Sequence, residues 1–143
     1  MSKVSEIDQG CTIFSGVTYL GAANINAPKS ELDVYRIMSE LNNGTASNGL
    51  KISISIPNCS DGLVVLHDAE TNSIIATYEI QSIILYFRGP IETVEHGCFA
   101  FTWLHGDSLF QCHVFRCHIP EAVNQVSGKI YSTPLTLTFN LNL

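Results

Sequence analysis

The chain has 143 residues, 45% of them hydrophobic and 14% charged, with seven Lys and Arg against thirteen Asp and Glu and a formal net charge of -6. That is one domain's length, enough to bury about two-thirds of its surface without a disulfide or metal staple, and its apolar content excludes disorder. The dispersed cations exclude nucleic acid as a partner, because nucleic acid is held through clustered Lys and Arg, and they leave weak or no binding to anionic membrane lipid.

No apolar run approaches the roughly 18 residues that span a bilayer. The segment from Met1 to Asp8, with Lys3, Glu6 and Asp8, lacks the apolar core of a signal peptide. A cytoplasmic chain is therefore expected, with Cys11, Cys59, Cys98, Cys112 and Cys117 as reduced thiols. The low charge, replaced by Ser, Thr, Asn and aliphatic residues, favours sheet over helix.

Residues 1–10 are polar and read as a mobile tail. Ile13, Phe14, Val17, Tyr19 and Leu20 predict a strand over 12–20, broken at Ser15-Gly16. The spacing of Leu32, Val34, Tyr35, Ile37, Met38 and Leu41 predicts a helix over about 30–42, with Ser30 as N-cap, Glu31 and Asp33 in the first turn and Asn42-Asn43-Gly44 as the stop.

The period then changes to two. Ile52, Ile54 and Ile56 alternate with serines, and further strands are predicted at 63–67 and 74–79. Ile80 and Ile83 to Phe87 read as one nearly continuous apolar strand closed by Gly89-Pro90, followed by a polar loop and strands at 98–104 and 109–117. Pro120-Glu121 opens a second helix with Ile119, Ala122, Val123 and Val126 as its apolar stripe. Gly128 weakens that helix and Pro134 ends it. From Thr133 to Leu143 the chain alternates without a charge, with Leu135, Leu137, Phe139, Leu141 and Leu143 on one face. Seven short antiparallel strands at this spacing predict a sandwich or barrel.

Catalytic signals are weak. Cys112, His113, Cys117 and His118 offer two Cys and two His within seven residues, but neighbours in one strand point to opposite faces, whereas zinc sites join ligand pairs from separate elements. Small buried hydrophobes and surface imidazoles are the expected roles. His67-Asp68 has no nucleophile elbow or phosphate loop to complete it, and turn chemistry accounts for Asp61, Asp68 and Asp107. No enzyme, cofactor or metal is expected.

Two backbone features point to binding. The strand from Ser82 to Arg88 is followed by the long loop Gly89 to Gly97 instead of a tight hairpin. It is either a fully paired core strand or, beside the C-terminal helix, an edge that an extended peptide can join. The uncharged alternating tail needs a pairing partner of its own.

Several blocks in order resemble a known family: Thr18-Tyr19-Leu20-Gly21, Asn26 to Glu31, Ile56-Pro57-Asn58, Ala76 to Ile80, Phe87-Arg88-Gly89, Cys98 to Thr102, and His113 to Cys117 followed by Glu121-Ala122-Val123. From about Cys11 to Tyr131 the chain resembles phosphotyrosine-binding (PTB) domains, in particular the N-terminal PTB domain of TBC-type Rab GTPase-activating proteins. The resemblance implies an α+β, pleckstrin-homology-like superfold: a seven-stranded antiparallel sandwich or open barrel, a helix between the first two strands and a C-terminal capping helix. Residues 132–143 then form an uncharged strand after the domain, which occludes the groove, is swapped, or is the start of a next β-rich region.

The resemblance also implies a non-catalytic module whose partner is an Asn-Pro-x-Tyr-like peptide that adds as an antiparallel strand. Carried over, the binding positions are Ser82, Ile83, Ile84, Leu85, Tyr86, Phe87 and Arg88, with Ile119, Ala122, Val123 and Val126 on the helix. With only Arg88 and Arg116 nearby, phosphate-independent binding is expected. The Arg and Gln motifs of the GTPase-activating domain are absent, so that activity would belong to another domain of a parent protein. The alternative is self-association, in which the strand 135–143 fills the groove in cis or in a swapped homodimer.

Overall fold

A computed structural model describes residues 11–44, 49–59, 61–106 and 108–132. Among these residues seven strands form one antiparallel sheet: β1 (Cys11–Asn24), β2 (Leu50–Pro57), β3 (Leu63–Asp68), β4 (Ile74–Glu79), β5 (Ile83–Arg88), β6 (Cys98–His105) and β7 (Leu109–Cys117). Their order is β4-β3-β2-β1-β7-β6-β5, so β4 and β5 are its two edges. Helix α1 (Glu31–Gly44) is inserted between β1 and β2, and α2 (Val123–Ser132) follows β7. The expected α+β architecture is therefore present. The strand expected over 135–143 and the tail 1–10 lie outside the described residues.

Two cores lie on opposite faces of the sheet. The inner one joins Val17, Ile52, Ile54, Ile56, Val64, Leu66, Tyr78, Tyr86, Phe99, Phe101 and Phe115, and Val123 and Val126 of α2 close it. The outer one places Val34, Ile37 and Met38 of α1 against Leu20, Leu85, Ala100, Cys112 and Val114. Alternation along each strand feeds both cores, which is why the apolar runs of β6 and β7 are nearly continuous. At the start of α1, Ser30 Oγ accepts the Asp33 N–H at 3.2 Å, the capping bond expected there. The helix ends at Gly44, within the expected stop Asn42-Asn43-Gly44.

Three elements differ from expectation. The first strand does not end at Leu20 but continues to Asn24. Its glycines, Gly16 at φ 71° and Gly21 at φ 125°, sit where the pairing registers slip against β2 and β7. They bend the strand without stopping it, so that one strand serves both halves of the sheet. Secondly, Ile80 and Ser82 are not strand residues. Ile80–Ser82 is a 3₁₀ turn whose buried Ile80 plugs the inner core while the chain crosses from edge β4 to edge β5. Thirdly, α2 passes through Gly128 to Ser132, a residue expected in the tail, and Ile119 precedes the helix in extended conformation.

Candidate functional site

Strand β5 pairs with β6 on one side and is the last strand of the sheet among the described residues. The Gly89 N–H donates to the Cys98 carbonyl at 2.8 Å, and the register pairs Phe87 with Ala100 and Leu85 with Thr102. Alternation in an antiparallel ladder then turns the backbone groups of Tyr86 and Arg88 away from β6, toward the open edge. The irregularity between Ile83 and Leu85 marks Ile84 as the bulged residue.

The β5 side chains are committed to the two cores. Ile83 and Tyr86 point inward, and Leu85 and Phe87 lie under α1, with the Phe87 ring edge-on to Tyr35 at 6.5 Å. Two polar contacts hold α2 beside β5: the Tyr86 hydroxyl lies 2.7 Å from Ser127 Oγ, and Arg88 Nη1 donates to Asn124 Oδ1. Arg88 Nε is buried without a hydrogen-bond partner among the described residues. Ser82 reaches back to Glu79 at 3.5 Å.

Of the expected helix residues, Val123 and Val126 are buried in the inner core and Ala122 packs against it, while Ile119 is 66% exposed. The groove thus consists of a backbone edge, the half-buried Ile84, and a polar helix flank. At its Arg88 end a cleft of about 150 Å³ is lined by Ile91, Pro120, Glu121 and Asn124. Reading 89–97 as an undifferentiated polar loop missed Ile91 and Val94, which are 74% and 75% exposed; two β-branched aliphatics in that segment were the available signal. The same loop buries Glu95 at 1% exposure, where its carboxylate accepts from Tyr35 Oη at 3.1 Å and Asn42 Nδ2 at 3.5 Å.

Arg88 and Arg116 do not converge on one pocket. Arg116 Nη1 donates to Asn42 Oδ1 of α1 at 2.8 Å, on the outer face and away from the Asn124 partner of Arg88. Alternation also separates the cysteines: Cys112 belongs to the outer core and Cys117 to the inner. Burial pushes the thiols of Cys98 and Cys112 up to about 12 and that of Cys117 up to about 11, which leaves them as thiols rather than nucleophilic thiolates at neutral pH. Asp68 accepts the N–H groups of Glu70 and Thr71 at 2.8 and 3.0 Å. These bonds lower its pKa and make it a turn residue.

No family model matches the chain. A Rab GTPase-activating protein, tbc-11 of Caenorhabditis elegans, is 25% identical over 114 residues, covering 73% of this chain and 12% of that protein's length. The solution structure of the C-terminal phosphotyrosine interaction domain of APBB2 from mouse superposes with a TM-score of 0.71 at 21% identity, covering 86% of this chain and 85% of that one. The chain has the PTB fold within the PH-like class. No helix among the described residues is long and apolar enough to cross a membrane.

Proposed function

We propose that this chain is a non-catalytic interaction module that takes an extended, Asn-Pro-x-Tyr-like peptide as an antiparallel strand on β5, independently of phosphate. The observation that carries this reading is the position of β5 at the edge of the sheet among the described residues, with α2 fixed alongside it by Tyr86–Ser127 and Arg88–Asn124. Backbone hydrogen bonds supply affinity in this mode, and flanking side-chain pockets supply selectivity. The fold neighbour's interaction domain and the tbc-11 match support an adaptor role within a larger cytoplasmic Rab GTPase-activating protein. The divided arginines support phosphate independence, since phosphate is best held by convergent guanidinium groups.

Fluorescence anisotropy with Asn-Pro-x-Tyr and Asn-Pro-x-Phe peptides, with and without phosphate on the tyrosine, tests the proposal. Binding is expected for the unmodified peptides and is expected to be lost when alternate peptide nitrogens are methylated. No binding at about 1 mM, an affinity of only about 4 kcal/mol, rejects this ligand class. A second reading is self-association through 135–143. It draws support from the same edge position of β5 among the described residues, since a strand of this chain or of a second copy can pair there as a peptide would.

A further inference from the structure

A second cleft, of about 370 Å³, adjoins the Arg88 end of the groove and is lined by Lys51, His96, Arg116, His118 and Val94. His96 and Pro120 line both clefts, so the two adjoin. The chain carries a net charge of -6, yet three of its seven Lys and Arg (Lys51, Arg88, Arg116) and two of its five His line this surface. Glu121 is the acidic residue that lines it. Glu95 lies nearby but is buried, with both carboxylate oxygens turned to Tyr35 and Asn42.

The fold gathers these cations from places far apart in sequence. Thr18 of β1 stands opposite Lys51 of β2 and opposite Arg116 of β7, so the three side chains share one face of the sheet. The groups that line it are also held in place. Asn42 accepts from Arg116 at 2.8 Å, Thr18 Oγ1 lies 3.2 Å from His118 Nε2, and the His96 ring is anchored on the Thr93 carbonyl at 3.0 Å. Lys51 and Arg116 start two strand spacings apart, about 10 Å. That spread suits several carboxylates along an extended chain better than one compact phosphate group.

Direction connects the cleft to the groove. A peptide antiparallel to β5 has its N-terminal side at Arg88, so residues upstream of the paired segment leave the sheet edge over Ile91 and Pro120 and meet the cation-lined cleft. We infer that this cleft is a second subsite, which binds Asp or Glu residues of the partner peptide just upstream of its strand-pairing segment. The direction rests on the β5 reading above; the charge of the cleft does not.

Two measurements test it. In the first, a labelled Asn-Pro-x-Tyr peptide preceded by Asp-Glu-Asp-Glu is compared with one preceded by Ser-Gly-Ser-Gly. The acidic peptide is expected to bind about tenfold tighter, as two or three charge pairs of a few tenths to 1 kcal/mol allow. That advantage is expected to disappear at high salt and in Lys51→Glu, but not in Lys29→Glu, an exposed lysine that lines neither cleft. Equal affinity of the two peptides overturns the inference.

The second measurement titrates the full chain with an Asp-Glu hexapeptide alone, read by amide NMR shifts. Shifts concentrated at Lys51, His96, Arg116 and His118 support the subsite even if neither long peptide binds, in which case the β5 reading alone falls. No shift there at about 1 mM overturns the subsite. Binding to phosphoinositide vesicles without any preference for the acidic peptide assigns the cleft to a membrane and likewise overturns it.

Discussion

His113 shows how one position in β7 couples ionisation to packing. Its ring is buried among Tyr19, Tyr78, Phe101 and Trp103, with the Tyr19 and Tyr78 hydroxyls 3.0 and 3.3 Å from Nδ1 and Gln111 Oε1 3.3 Å from Nε2. Nε2 donates to the amide oxygen and Nδ1 accepts from hydroxyl, which is the neutral tautomer. Burial, with His105 adding repulsion, holds its pKa down to about 4 against an ordinary 6.5. A histidine depressed in the folded state disfavours folding once it must take up a proton. Its contribution is therefore complete above about pH 6.5 and declines as the pH falls toward 4, by up to about 3 kcal/mol. Urea unfolding followed across this range is expected to show a shallower acid loss in His113→Gln than in the parent chain; identical slopes would falsify the assignment. At the groove, Tyr86→Phe removes the hydroxyl that faces Ser127 inside the fold. A loss of about 1 kcal/mol in denaturant stability is expected, with little further loss on adding Ser127→Ala because the two share one interaction.

At the level of elements, the loop between β5 and β6 is a packed structure that shapes the end of the groove. Glu95 anchors it to α1, the Cys98 N–H returns to the Glu95 carbonyl at 2.8 Å, and the Cys117 N–H reaches the Gly97 carbonyl at 2.9 Å. Gly89 permits this closure, because a Cβ there would stand 1.7 Å from the Glu95 carbonyl oxygen. Backbone on backbone cannot give way cheaply, so Gly89→Ala is expected to cost about 2 kcal/mol or more and to weaken peptide binding at the Arg88 end. Thermal melting and the anisotropy assay check both effects; an unchanged melting temperature would contradict the packing. Elements with one strong period, such as α1, β2 and β7, were legible in the sequence. The loop was not, since its buried Glu95 and exposed Ile91 and Val94 reverse the usual relation between polarity and burial. The length of β1 was hidden for a different reason: Gly16 and Gly21 read locally as breaks, and pairing on both sides makes them bends.

For the whole molecule, strand order is the decisive property. Both β4 and β5 end the sheet, and an open edge is a site for peptide addition or for association. If the segment 135–143 serves as a swapped strand, truncation after Ser132 is expected to halve the mass of the full chain in solution and to raise the affinity for an Asn-Pro-x-Tyr peptide. Light scattering that finds a monomer in both cases, with unchanged peptide affinity, removes that reading. Of the eleven positions carried over for the groove, Ile83 to Arg88 were legible as a strand and Val123 and Val126 as a helix stripe, while Ser82, Ile119 and Ala122 lie in the turns that lead into these elements. Their division of labour was not, because Val123 and Val126 proved to be core residues and the accessible part of β5 is mainly its backbone edge.

Composition and alternation by themselves determined a small, acidic, charge-poor sheet domain, its strand count and the capping of α1, because these depend on local pattern and on what each face must bury. Only the tertiary structure decided which strand ends the sheet, which faces of β5 and α2 are already used, and where the scarce cations meet. Lys51, His96, Arg116 and His118 are distributed over nearly half the chain and look dispersed along it. The bends of β1 and the return of the β5–β6 loop turn that dispersal into one cleft, with Lys51 and Arg116 as its positive charges, on an acidic protein.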